Sequence, residues 1–296
     1  AGLTEQAAQE LAAAADTGLL PSAWHSSFVP GAPASKAFAA DLLQQVLGFR
    51  GEAKSYIGTV SDEDIFIKLN AAYRTHNLIQ ASELQAVFDE ALKQDLVTGY
   101  NLKDDRFNPH FDPLLSLTYG HSDLQHAVQL IGLLRSEGIQ AKVQLEPKTS
   151  AYIYLKEWGE PSVSDDFQVV QIENDSYIAY AKEYDLSFEF ADEAGKLRFQ
   201  ELISAYAKKN SEDAAGLIAG SWWQPLYYSL PKLQDYVEIT NNRVKHGHYY
   251  AQSFTLNDKS APLAEGLARI QPGIEVESYR FWVDQPFYNY LIGEYK

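Results

Sequence analysis

Apolar residues recur at helical spacing through most of the first hundred positions. The clearest pattern follows Ser82 and Gln85, a capping-box pair, and predicts a helix with one apolar face formed by Leu84, Val87, Phe88, Ala91 and Leu92. Three earlier helices are predicted: an Ala-rich one over Thr4–Ala15, one capped by Ser35 and ended by Gly48, and one after Ser61 and Asp64. The stretch Asn101–Pro113 is polar and contains two prolines, so it is predicted to be a long loop.

The pattern changes after a further helix over His121–Ser136, which is apolar around most of its circumference and is predicted to be buried. Apolar and polar side chains alternate over residues 139–146, which is typical of a strand with one solvent-exposed face. Similar short patterns predict strands at Ala151–Leu155, Phe167–Ile172 and Tyr177–Ala181.

The last 110 residues show a second order of elements, β-α-β-β-α-β, running from Leu186 to Val283. Asp192 and Ser260 are predicted to cap its two helices. This order is that of a ferredoxin-like plait. The fold class is therefore predicted to be α+β. Residues 1–162 are expected to form a helical region and an α+β core, and residues 163–296 a ferredoxin-like domain.

The amino-acid composition excludes several kinds of binding partner and several kinds of chemistry. The chain has 296 residues, of which 46% are apolar, and a formal net charge of −16, so it can fold around a core but would repel nucleic acid. No apolar stretch approaches the roughly 18–20 residues that span a bilayer, so no membrane insertion is expected. The absence of cysteine excludes thiol catalysis, disulfides and cysteine-bound metals.

The sequence opens with Ala1-Gly2-Leu3 and contains no methionine. A small first residue fits cleavage of an export signal, so we expect a secreted, cell-surface or periplasmic protein with its signal peptide removed.

Two neighbouring segments carry a resemblance to a known family. The runs Tyr119–Ala127 and Leu133–Val143, the second reading LLRSEGIQAKV, resemble the core of the transglutaminase-like superfamily over about residues 115–160. In that family a cysteine begins the buried helix and a histidine lies on the next strand. Here the cysteine position falls at Ser122 or Asp123 and the histidine position at Ser150. The resemblance therefore implies a scaffold that has lost its chemistry and retains a groove.

Other catalytic and metal sites are less well supported by the residues. Ser122 has His121, Asp123 and His126 nearby, but it lacks the second glycine of the nucleophile elbow, so a helix N-terminus is the favoured interpretation. The histidines do not form a metal-binding motif, and neither nucleotide-binding fingerprint is present, so no metal and no cofactor are predicted.

Aromatic residues make up 13% of the chain and are concentrated in its last third. Most are predicted to fill the core and a seam between domains, and the remainder suit a glycan or peptide surface. The candidate ligand-binding residues are His121, Ser122, Asp123, Ser150, Tyr152, Trp222, Trp223 and Tyr249.

Together these patterns predict an exported, non-catalytic binding or assembly protein that holds a peptide or a glycan, with no catalytic residue assigned. The alternative is an exported hydrolase that acts on polysaccharide or peptide through carboxylates or a bound metal. A purely structural or oligomer-forming role is the third hypothesis.

Overall fold

The chain divides at residue 54 into a helical unit, Ala1–Lys54, and a larger unit, Ser55–Lys296. The computed structural model describes residues 3–160, 163–173, 176–207 and 226–294. The division differs from the predicted boundary at 162/163, because strands on the two sides of that boundary belong to one sheet.

The helical unit contains α1 (Glu5–Asp16) and α2 (Lys36–Phe49). The predicted N-cap of α2 is confirmed, because the Ser35 hydroxyl accepts from the Phe38 N–H. Helix α1 is capped in the same way by Thr4, whose hydroxyl accepts from the Ala7 N–H. Gly48 does not end α2 as predicted. The helix continues to Phe49, and Gly51 supplies the left-handed backbone after it, with φ +68°.

The larger unit consists of ten strands and six helices within the described residues. In chain order the strands are β1 (Gly58–Thr59), β2 (Gly99–Asp104), β3 (Ser116–His121), β4 (Ala141–Tyr154), β5 (Phe167–Glu173), β6 (Ser176–Phe190), β7 (Leu226–Ser229), β8 (Tyr236–His246), β9 (Tyr249–Thr255) and β10 (Glu277–Asp284). The helices are α3 (Ile65–Arg74), α4 (Ser82–Lys93), α5 (Leu124–Ser136), α6 (Glu193–Leu202), α7 (Ser260–Ile270) and α8 (Gln285–Leu291).

Eight of these strands close into an antiparallel barrel, in the order β4-β2-β9-β8-β10-β7-β3-β6. The ring closes where β6 pairs with β4 over 14 residue pairs, from Ala141↔Phe190 to Tyr154↔Tyr177. Strands β1 and β5 lie outside the ring and pair with β4 and β6 respectively. The structure is thus α+β, as predicted, but its strands form one barrel.

The apolar sides of the strands face outward and are covered by helices. Helices α3, α5 and α6 pack on one part of the barrel, where Val143, Leu186 and Phe188 are buried. Helices α4 and α7 pack on another part, over Leu102 and Ala251. Helix α8 packs against the ends of β7, β8 and β10 and so lies across one end of the ring, here called the α8 end. The segment 105–115 lies at the opposite end, here called the loop end.

The predicted helix stripe on α4 is confirmed, since Leu84, Val87, Phe88, Ala91 and Leu92 are all buried. One part of the predicted capping box is confirmed, because the Gln85 side chain accepts from the Ala81 N–H. The other part is wrong, because Ser82 is the first residue of the helix and the cap position falls at Ala81. Asp192 caps α6 as predicted, accepting from the Gly195 N–H. Among the helices of the described residues, none has the length and apolar character needed to cross a membrane.

Several predicted strands and loops differ from the structure. The segment predicted as a loop from Asn101 begins inside β2, whose inward side chains are polar and therefore gave no apolar alternation. The two strands predicted on either side of residue 148 form the single strand β4, and those predicted at 177–181 and 186–190 form β6. Strands β6, β7 and β9, which all follow residue 163, pair directly with β2, β3 or β4, so the described strands after that residue do not form a separate plait.

Candidate functional site

The polar side chains of the strands point into the barrel. Because side chains alternate across a strand, the outward position of Val143 and Leu145 on β4 places Glu146, Lys148 and Ser150 inside. The same parity places Lys103 of β2 and Asp185 of β6 inside, opposite these residues. The interior is therefore charged, and the apolar core lies outside the ring, under the helices.

An ion cluster crosses the middle of the barrel. It consists of Lys103, Glu146, Lys148, Glu183 and Asp185. The Lys103 ammonium lies 2.9 Å from a Glu146 oxygen and 3.1 Å from Asp185 Oδ2. The Lys148 ammonium lies 2.8 Å from Asp185 Oδ1 and 3.5 Å from Glu183 Oε2. Asp185 thus joins two lysines that come from different strands.

Burial and charge act in opposite directions on the groups of this cluster. Burial alone would raise the pKa of Asp185, but the charges and hydrogen bonds of Lys148 and Lys103 outweigh it and lower the pKa to about 2. The pKa of Lys148 is raised although burial opposes its charge, because Asp185 and Glu183 stabilise the ammonium. Burial raises the pKa of Glu146, and the charge of Lys103 offsets only part of this increase.

A glycine makes room for the cluster. Gly120 of β3 pairs with Asp185 of β6, and a Cβ atom at Gly120 would lie 2.8 Å from Asp185 Oδ1 and 2.9 Å from Lys148 Nζ. Any larger residue would therefore displace the Lys148–Asp185 ion pair.

A cavity of about 670 Å³ occupies the α8 end of the barrel. Its polar side chains come from the strands and include Asn101, Lys148, Ser150, Glu183 and Gln252. Its apolar walls include Tyr152, Trp158, Phe254, Phe287 and Tyr290. This volume lies within the range of about 300–1,000 Å³ that is usual for small-molecule sites.

The polar groups in this cavity include two acceptors, on Glu183 and Asn101. The Ser150 hydroxyl donates to Glu183 Oε2 at 2.7 Å. Asn101 is only 9% exposed, and its Oδ1 atom has no hydrogen-bond partner among the described residues. A buried acceptor without a partner is costly, so a ligand or water that donates a hydrogen bond would stabilise this position.

A smaller cavity of about 180 Å³ lies toward the loop end of the barrel. Lys103, Glu146 and Asn241 line it, and Gln252 and Phe254 line both cavities. The two cavities are therefore neighbours within one barrel. Lys103 lines the smaller cavity and Lys148 the larger one.

Three of the predicted ligand-binding residues line the larger cavity: His121, Ser150 and Tyr152. His121 ends β3, and its Nδ1 accepts from the Asp123 N–H at 2.9 Å and lies 3.3 Å from His126 Nδ1. Burial lowers the pKa of His121 to about 4, so this imidazole is neutral at neutral pH.

The other predicted residues lie elsewhere. Asp123 caps α5 by accepting from the Gln125 N–H, and the Ser122 carbonyl accepts from the Tyr73 hydroxyl. Tyr249 has outward parity on β9 and packs against the core beneath α4 and α7. Trp222 and Trp223 lie outside the described residues.

Sequence reasoning missed the ion cluster and the acceptors Asn101 and Glu183. The signal was present as runs of alternating polar residues, Lys142-x-Gln144-x-Glu146-x-Lys148 on β4 and Glu183-x-Asp185-x-Ser187 on β6. On β4 the polar side of residues 139–146 was interpreted as facing solvent.

The chain was compared with known proteins at three levels. It matches no family model, and it is similar to no curated protein and no solved structure.

Proposed function

We propose that this protein is a non-catalytic binding protein whose barrel holds one end of a saccharide at the α8 end. The observation that carries the proposal is the cavity of about 670 Å³, with aromatic side chains on its walls and amide, hydroxyl and carboxylate groups from the strands. An eight-stranded barrel has an interior wide enough for one small ligand.

The chemistry of the lining suits a sugar ring. A pyranose presents apolar C–H faces, which pack on aromatic rings, and a polar edge of hydroxyl groups, which donate hydrogen bonds. Tyr152 and Trp158 are close neighbours, with ring centroids 6.2 Å apart, and supply such a wall. Asn101 and Glu183 supply acceptors for the hydroxyl edge, and Gln252, whose Oε1 already accepts from Asn241, can donate to it through its amide nitrogen.

An extended peptide, the other predicted ligand, fits this cavity less well. Peptides usually bind in an open groove or add to a free strand edge. Here the walls of the cavity are paired strands, which offer no free edge, and α8, so the cavity favours a compact ligand or the end of a chain.

The alternative of hydrolysis through carboxylates draws on the same part of the barrel. A general acid must hold a proton near the working pH. The low pKa of Asp185 and its contacts with two lysines do not suit that role. Among the described residues, no group of three histidine, aspartate or glutamate side chains is placed to hold a metal ion.

Binding and hydrolysis can be separated with three β-1,4-linked disaccharides: cellobiose, N,N′-diacetylchitobiose and fully deacetylated chitobiose. Isothermal titration calorimetry should detect binding of at least one of them, and chromatography after prolonged incubation should detect no monosaccharide. Failure of all three to bind at millimolar concentration would contradict the saccharide proposal, and released monosaccharide would contradict its non-catalytic part. Export and the transglutaminase-like resemblance of residues 115–160 stay predictions.

A further inference from the structure

The cluster inside the barrel contains more negative than positive formal charge. Its three carboxylates, Glu146, Glu183 and Asp185, face two ammonium groups, those of Lys103 and Lys148. Arg243, the other cation that lines a described cavity, lines the smaller one and is paired with Glu277 at 2.6 Å. One carboxylate in the middle of the barrel is therefore left without a full positive counterpart.

The excess negative charge is located at Glu183. Lys148 lies closer to Asp185, at 2.8 Å, than to Glu183, at 3.5 Å, and its ammonium is almost fully buried. Glu183 lines the larger cavity, where it accepts a hydrogen bond from the neutral Ser150 hydroxyl. A cation entering the cavity would therefore meet a carboxylate that a lysine only partly neutralises.

Asn101 gives independent evidence for a donor at the same place. It lies opposite Ser150 across the β2–β4 pairing, and Ser150 in turn contacts Glu183. Asn101 lines the same cavity, and its buried Oδ1 lacks a partner among the described residues. A group that donates several hydrogen bonds and carries positive charge would satisfy both acceptors at once.

The aromatic wall also favours a cation. Tyr152 lines the cavity, and its pKa is raised to about 12 by burial and by the negative charge of Glu183. The faces of tyrosine and tryptophan rings attract cations, with a larger effect where water is excluded. The aromatic walls and the hydrogen-bond acceptors therefore both favour a positively charged group on the ligand.

We propose that the ligand of the larger cavity carries a protonated primary amine, which binds between Glu183 and Asn101. This inference rests on the proposed saccharide function, and on that basis the ligand is an amino sugar. The amino terminus of a short peptide presents the same ammonium chemistry, so the experiment must distinguish these two sources.

The three disaccharides differ mainly in the substituent at C2, which is hydroxyl in cellobiose, ammonium in deacetylated chitobiose and acetamide in diacetylchitobiose. We expect the amine to bind roughly 10- to 100-fold more tightly than cellobiose, the range expected for a hydrogen bond to a charged group. Diacetylchitobiose should show no such advantage. Equal affinity for all three would overturn the ammonium proposal and leave the saccharide proposal supported.

Two variants locate the effect. Glu183→Gln keeps the shape of the side chain and removes its charge, so the preference for the amine over cellobiose, measured as the ratio of the two dissociation constants, should fall at least tenfold. Glu63→Gln makes the same chemical change at an exposed position away from the cavity and should leave the preference unaltered. A Glu183→Gln protein that kept the full preference would overturn the assignment to Glu183. If that variant does not fold, the wild-type disaccharide series still decides the proposal.

A peptide arm separates the sources of the amine. Glycyl-tyrosine amide carries a free amino terminus, and its N-acetylated form does not. Amine-dependent binding of this dipeptide without binding of any disaccharide would support the ammonium site and overturn the saccharide proposal. Binding of deacetylated chitobiose in preference to both dipeptides supports the amino sugar.

Discussion

Gly120 lies directly opposite Asp185 in the pairing of β3 with β6, with no room for a Cβ atom. The space that a side chain would occupy is filled by the Lys148–Asp185 ion pair. The strand that ends in His121 therefore needs a glycine for packing inside the barrel, although its backbone is in regular strand conformation.

A Gly120→Ala substitution should destabilise the protein by about 1–3 kcal/mol, the usual cost of overpacking a filled interior. The added methyl group would force apart a buried carboxylate and ammonium. Urea unfolding followed by circular dichroism measures the change. Gly132→Ala on α5 is the matched control. Its Cβ would meet nothing within 4 Å, and the gain in helix propensity should make it neutral or slightly stabilising. Equal effects at the two positions would contradict the packing argument.

Removing Lys103 should be much more costly than removing an exposed cation. Lys103→Met leaves Glu146 and Asp185 with less compensation in a buried site, and the expected loss is about 3–5 kcal/mol. Arg198→Met breaks an ion pair with Glu137 that is largely exposed, and it should cost less than about 1 kcal/mol. The free energy of unfolding in urea compares the two. A small effect of Lys103→Met would show that the cluster is dispensable for stability.

The stability of the protein should fall as the pH is lowered from about 6.5 to about 4, because His121 is protonated there in the unfolded chain and stays neutral in the folded one. The pKa of His121 is lowered to about 4 by burial, whereas an imidazole in the unfolded chain takes up its proton near 6.5. Between these values the unfolded state binds more protons, so stability decreases with decreasing pH, by an amount on the order of 3 kcal/mol. Unfolding free energies at pH 7.0, 5.5 and 4.5 should decline less steeply in His121→Gln. The exposed His246→Gln is the control for the substitution itself, and identical slopes in all three proteins would refute the prediction.

Trp158 tests the aromatic wall separately from the charges. It is 46% exposed, so Trp158→Ala should change stability little, but it removes the ring that packs against Tyr152 and Tyr154. The affinity for the disaccharides should fall about 5- to 30-fold, as expected for a lost stacking contact of about 1–2 kcal/mol. Trp24→Ala makes the same change at a tryptophan that does not line the cavity. Equal losses of affinity in the two variants would argue against a wall at Trp158.

Much of the secondary structure followed from the sequence because local physics determines it. The apolar stripe of α4 and the caps at Ser35 and Asp192 depend on residues within one or two turns, and all were predicted. The strand character of residues 141–146 was likewise evident from alternation alone.

The barrel and most of the site were not predicted, because a period of two shows that a strand has two different sides without showing where each side points. In this protein the apolar sides lie under helices and the polar sides line the interior. Glu146, Lys148 and Asp185 therefore resemble solvent-exposed residues in sequence although all three are buried. His121, Ser150 and Tyr152 were identified correctly as neighbours of one cavity. Its principal acceptors, Asn101 and Glu183, come together only because the strands close into a ring, and the alternation of apolar and polar residues does not show that closure.

The order of the strands around the ring has a consequence for biosynthesis. Strand β2, which carries Asn101, is joined in the ring to β9, where Asn101 pairs with Gln252. A ribosome therefore releases Glu183, Lys148 and Ser150 long before β9 and β10 emerge to complete the enclosure. A nascent or truncated polypeptide that stops before residue 249 contains Asn101, Lys148, Ser150 and Glu183 and still has no chamber in which to arrange them.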